Sequence, residues 1–116
     1  LSDTGLFAIY IGCDLEMEEK CMEISFKEMK KLMINKLGTQ QLHYAKRQLI
    51  GQIAIANESK LAEMIVNGRS LLAYDKVETI EETIAKVEKI TAEEIMEVAN
   101  ETFIEAHFSS LIYARR

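Results

Sequence analysis

Residues 5–13, Gly-Leu-Phe-Ala-Ile-Tyr-Ile-Gly-Cys, are apolar, β-branched or aromatic at nearly every position. A run like this has no polar face to give to water, so as a strand it must be covered on both faces and flanked on both edges. Residues 108–114, Phe-Ser-Ser-Leu-Ile-Tyr-Ala, read as a second strand. The chain contains no proline, so nothing interrupts a helix in the long stretch between them. The expected order is strand, about four helices, strand. Two strands alone are a marginal sheet, and the first wants neighbours on each side. The pattern therefore predicts an α+β class, the end of a sheet domain whose other strands lie upstream.

Within the helical stretch the starts and stops are local. Asp14 offers an N-cap, with Glu16, Glu18 and Glu19 in the first turn and Lys27, Lys30, Lys31 and Lys36 toward the far end, matching the helix dipole. Met22, Phe26, Met29 and Met33 recur at helical spacing, beside Cys21 and Leu32, and Gly38 is the expected C-terminal cap. Thr39 is expected to cap a second helix with a buried stripe of Leu42, Ala45, Leu49, Ile53 and Ala56. At Asn57-Glu58-Ser59 the periodicity resets. Leu61, Met64, Ile65, Leu71 and Leu72 continue on another phase, predicting a break and a third helix to about Ala73. Thr79-Ile80-Glu81-Glu82 is a capping box with Ile80, Ile84 and Val87 inward; Thr91-Ala92-Glu93-Glu94 is another, with Ile90 and Ile95 as its staple.

A length of 116 residues with 48% apolar and 28% charged residues fits one domain or part of one, not a disordered tail. A substantial core is expected. The longest apolar run, residues 6–11, is far short of the roughly 20 residues of a membrane helix, and no signal segment opens the chain. A net charge of −5 gives no drive toward phosphate backbones, which argues against nucleic acid as a partner. Cys13 and Cys21 do not make a disulfide framework and are read as core or buried thiols. With two unpaired cysteines and no signal in view, the expected compartment is the cytoplasm. Leu1 in the place of Met hints at a cut piece of something longer.

The sequence holds none of the short motifs that catalytic chemistry uses. Zinc hydrolysis on a helix needs His-Glu-x-x-His or its inverse, and neither occurs; the two histidines, His43 and His107, have no second ligand at helical spacing. His43 reads as a surface or core-edge histidine and His107 as a loop residue beside Glu105. The serines lack a nucleophile elbow, and Asn67-Gly68-Arg69-Ser70 is too little for a phosphate cradle, so Gly68 reads as a close helix contact. The carboxylates gather at helix starts, where the dipole accounts for them. Six methionines at largely helical spacing read as core. Asn57-Glu58-Ser59 and Asn100-Glu101-Thr102 match the glycosylation sequon, a short pattern that arises by chance. No catalytic, cofactor-binding or metal-binding residue is assigned.

The string Asp3-Thr4-Gly5-Leu6-Phe7-Ala8-Ile9-Tyr10, followed by Gly12 and Asp14, resembles the strand opening the last part of the zinc peptidases related to insulin-degrading enzyme, pitrilysin and mitochondrial processing peptidase. The likeness continues in order through Thr39, Ala45-Lys46-Arg47-Gln48-Leu49, Glu58-Ser59, Gly68-Arg69 and Leu72. It closes on Ile90 to Ile95 with Val98-Ala99-Asn100 and Phe103. The resemblance implies a partial domain over residues 1–116, the C-terminal portion of such a peptidase, in a two-layer half-domain with helices on one face of a mainly antiparallel sheet. It also implies zinc bound by a His-x-x-Glu-His motif in an N-terminal domain outside this chain, with the motif's glutamate as base for zinc-activated water. The implied partners are a peptide substrate and that catalytic domain or a homologous subunit. In the insulin-degrading branch an arginine follows the Gly-Leu pair; here the place holds Phe7. That departure fits the processing-peptidase-like branch or a non-catalytic partner subunit. Three readings follow: the chamber-forming part of an active zinc endopeptidase, a catalytically dead partner in substrate presentation or assembly, and a free-standing helical interaction module.

Overall fold

The structure, a computed structural model, describes residues 5–114. Leu1 and, from the string resembling the peptidase strand, Asp3 and Thr4 lie outside the described residues. The elements are α1 (Glu18–Ile34), α2 (Thr39–Asn57), α3 (Lys60–Tyr74), α4 (Ile80–Lys89) and α5 (Ala92–Thr102), with 3-10 turns at Leu15–Met17 and Glu105–His107. The chain divides into two compact units. One holds the described residues up to Leu37 and from Ala92 onward; the other is Gly38–Thr91.

The expectation of an α+β fold with a mainly antiparallel sheet is overturned: the described residues contain no strand. A strand is defined by the neighbour it bonds to, and neither residues 5–13 nor residues 108–114 form a ladder. Their aromatic side chains turn to the helical layer instead. Phe7 meets Phe103, just past α5, edge to face with ring centroids 5.1 Å apart. Phe108 meets Phe26 of α1 in the same manner at 5.4 Å. Contacts of this kind hold each segment in place without satisfying its backbone from a partner strand.

In the first unit the chain enters α1 through the 3-10 turn. The Asp14 carbonyl accepts from the Met17 N–H at 2.9 Å, while the Asp14 side chain makes no cap bond, so the expected side-chain N-cap is not formed. α1 stops at Ile34, where Asn35 turns extended (φ −116°, ψ 130°) and its N–H still reaches the Lys31 carbonyl. Gly38 is therefore not the C-terminal cap. Its φ of −66° and ψ of 156° place it as the N-cap of α2, a conformation any residue adopts. α1 packs on α5, and Met29 and Ala99 are the buried apolar side chains of these two helices. Lys36 Nζ bonds Glu93 Oε1 at 2.6 Å, and the Asn100 side-chain amide reaches back to α1.

The second unit packs α2 against α3 and α4. Its punctuation follows the sequence except at α2, where Thr39 is the first helical residue and not the expected cap. The Gly38 N–H donates to Gln41 Oε1, satisfying a donor at the start of α2. α2 and α3 break at Glu58-Ser59, where Ser59 Oγ accepts from the Ala62 N–H at 3.3 Å. At α4 the Thr79 capping box is complete: Thr79 Oγ1 accepts from the Glu82 N–H, and Glu82 Oε2 accepts from the Thr79 N–H. Lys46 of α2 donates to the Glu88 carbonyl near the end of α4, one of the groups a helix leaves without an internal partner. α3 ends on Asp75, whose φ of 53° lies in the left-handed region, with its N–H on the Leu71 carbonyl.

Burial departs from the expectation of a substantial core. Met29, Val87 and Ala99 are the buried apolar residues among those described. Of the α2 stripe, Leu42 and Ile53 are half-buried and Ala45, Leu49 and Ala56 are exposed; the α3 residues Leu61, Met64, Ile65, Leu71 and Leu72 are exposed, Leu72 at 90%. The helical spacing was read correctly as helix, but spacing says which residues share a face and not whether anything covers that face.

Candidate functional site

The first unit contains an open hollow of about 300 Å³. Residues 9–13 and 111–114 form its walls, the two apolar runs that the sequence put into strands, and Leu15, Glu18, Cys21 and Met22 line it from the start of α1. The hollow is lined mostly by apolar side chains, with Glu18 as its carboxylate.

Cys13 and Cys21 both line this hollow, and both are free thiols. They are not the buried thiols expected: Cys13 is exposed and Cys21 half-buried. The turn through Asp14 and Leu15–Met17 lies between the segment that holds Cys13 and α1, which holds Cys21. Partial desolvation pushes the Cys13 thiol up from its ordinary value, and the neighbouring Cys21, Glu18 and Asp14 groups push the same way.

The remaining candidates do not assemble. His43 is exposed on α2 with its ring 6.0 Å from that of Tyr44, and His107 is exposed in the Glu105–His107 turn. Among the described residues no group of three or more His, Cys, Asp or Glu is placed to hold a metal ion. The side chains of the described residues do not fit a zinc site. Gly68 is not a close helix contact, since a Cβ built there meets nothing within 4 Å. The methionines divide: Met29 is buried, Met22, Met33 and Met96 are half-buried, and Met17 and Met64 are exposed. The Asn100 amide of the second sequon is held by two backbone carbonyls.

No protein-family model matches the chain. Curated proteins do. An uncharacterized zinc protease of Mycobacterium tuberculosis is 28% identical over 98 residues, 84% of this chain and 22% of that protein. An uncharacterized zinc protease of Bacillus subtilis, YmxG, is 24% identical over 110 residues, 95% of this chain and 27% of that protein. The chain resembles the insulinase-type zinc peptidases. A protein of Arabidopsis thaliana named "Probable mitochondrial-processing peptidase subunit alpha-1, mitochondrial" is 28% identical over 95 residues, 81% of this chain and 19% of that protein. The chain thus spans about a quarter of the length of the zinc proteases it matches. The chain itself holds no His-x-x-Glu-His motif. No helix of the described residues is long and apolar enough to cross a membrane.

Proposed function

We propose that this chain is the C-terminal, non-catalytic part of a zinc endopeptidase, a partial domain that walls the substrate chamber, helps hold an extended peptide and packs against the catalytic domain. The observation that carries the reading is the match to zinc proteases along 84–95% of this chain but only 22–27% of their length. A second support is the apolar surface of α3, where Leu61, Met64, Val66 and Leu72 are each more than 60% exposed. Side chains of this kind are usually covered in a working protein. The zinc and the general base belong to a domain outside this chain, and none of its own residues is assigned to catalysis or metal binding. Two free thiols accord with a cytoplasmic location.

The test is the full-length protein. Bound zinc, cleavage of an unstructured peptide and loss of cleavage with a chelator are expected, together with no cleavage by residues 1–116 alone. A full-length protein without zinc or cleavage would overturn the reading. The second reading, a non-catalytic partner subunit, is favoured by Phe7 in the place where the insulin-degrading branch carries arginine. It predicts cleavage only when a second, zinc-bearing subunit is added.

A further inference from the structure

We propose that α3 is a dimerisation helix: a second copy of this chain lays its own α3 antiparallel on the exposed apolar face, about a two-fold axis between Ile65 and Gly68. The proposal goes beyond the peptidase reading, which asks only that this surface be covered. Its ground is the way α3 sits in its unit. The half-buried Glu63, Asn67 and Ser70 recur at spacings of four and three, and they form the side turned to the rest of the unit, where α2 packs. Leu61, Met64, Ile65, Gly68 and Leu72 share the opposite side and are exposed. α3 thus turns a polar stripe inward and an apolar one to water, the reverse of a helix covered by its own fold.

The charges at the ends of α3 point to a second copy as the cover. A helix is positive at its N-terminal end and negative at its C-terminal end, so Lys60 as first residue and Asp75 as C-cap each carry the charge that their own end disfavours. The Lys60 side chain is 95% exposed and reaches only Glu63, at 3.8 Å. Lys60 and Asp75 lie about 22 Å apart along one helix, too far to pair within a chain. In an antiparallel pair each Lys60 comes over the C-terminal carbonyls and Asp75 of the other copy, and the two-fold makes this contact twice.

The shape of the face agrees. In this register Leu61 faces Leu72 of the second copy and Ile65 faces its Gly68. Glycine weakens a helix interior, and nothing in the unit uses the missing side chain, because a Cβ built on Gly68 meets nothing within 4 Å. Against a second copy the same gap receives Ile65. One helix per copy covers less than the roughly 1,200 Å² of a standard stable interface, so a dimer of micromolar affinity is expected.

The experiment is sedimentation equilibrium of the full-length protein and its variants at micromolar concentrations, with circular dichroism to show each variant folded. The expected mass is that of two chains. Leu72→Asp, at a position 90% exposed in the single chain, raises the dimer Kd about a hundredfold. Gly68→Leu, which has room in the single chain, raises it about tenfold. Lys60→Glu and Asp75→Lys each set like charges against one another and raise the Kd about tenfold. Mixed in equal amounts, these two variants form heterodimers with opposite charges at both ends and regain the parent Kd to within about threefold. Only contact between chains gives that rescue. A full-length monomer, a dimer indifferent to Leu72→Asp or to Gly68→Leu, or a mixture no tighter than its parts would each overturn the proposal. Zinc content and peptide cleavage, measured on the same samples, bear on the peptidase reading alone.

Discussion

The side-chain amide of Asn100 donates to the Met33 carbonyl at 2.9 Å, and to the Met96 carbonyl of its own helix at 2.8 Å. Met33 lies in the last turn of α1, where carbonyls have no partner within the helix. A side chain 67 positions away in sequence thus finishes the end of α1 and fixes its register against α5. Asn100→Ala removes both bonds, and because the site is exposed water replaces part of the loss. The expected cost is about 1 kcal/mol, checked by chemical denaturation of the variant against the parent. Asn100→Asp, which cannot donate, should cost as much or more.

Met29 and Ala99 bracket the α1–α5 packing from opposite directions of size. Met29, 7% exposed, leaves a void when cut to alanine, and a loss of about 2–5 kcal/mol is expected. Ala99, 4% exposed, has no room for more, so Ala99→Leu should cost about 1–3 kcal/mol through overpacking. Equal stability in both variants would show that this packing does not hold the unit together.

Thr79 and Glu82 satisfy one another's backbone donors at the start of α4. Thr79→Ala should cost about 1 kcal/mol, and Thr79→Ser should restore most of it. Helix content by circular dichroism, followed through thermal unfolding, separates the two variants.

Glu78 and Lys86 form an ion pair that gives stability a pH dependence of known sign. The hydrogen bond from Lys86 holds the Glu78 carboxyl below its ordinary value of 4.5, and the same bond holds the Lys86 ammonium above 10.5. The carboxylate's contribution is complete above 4.5 and is lost as pH falls through the lowered value. The ammonium's is complete below 10.5 and is lost as pH rises through the raised one. Thermal midpoints of the parent and Glu78→Gln should therefore differ most at neutral pH and converge in acid. Added salt should narrow the gap, since the pair is at the surface.

What the sequence made legible was whatever is decided within a few residues. The Ser59 break and the Thr79 box are made by side chains bonding to backbone three positions on, so the string of letters contains both partners. The end of α1 was placed at Gly38 on residue type alone, but Asn35 had already turned extended. The strands failed for a different reason. Residues 5–13 have side chains suited to a sheet, yet a ladder needs a second backbone, and Phe7 and Phe108 found Phe103 and Phe26 instead. The core was overestimated for α3 because a face of apolar residues does not name its cover.

The first unit is split in the chain, with Gly38–Thr91 lying between its two halves. During synthesis that intervening segment leaves the ribosome while α1 still has no α5 to pack on. At roughly 5–20 residues per second the interval lasts seconds, long compared with helix formation. The apolar face of α1 around Met29 spends that time uncovered, and the nascent chain must be kept from associating with others until Ala99 and Asn100 emerge to close it.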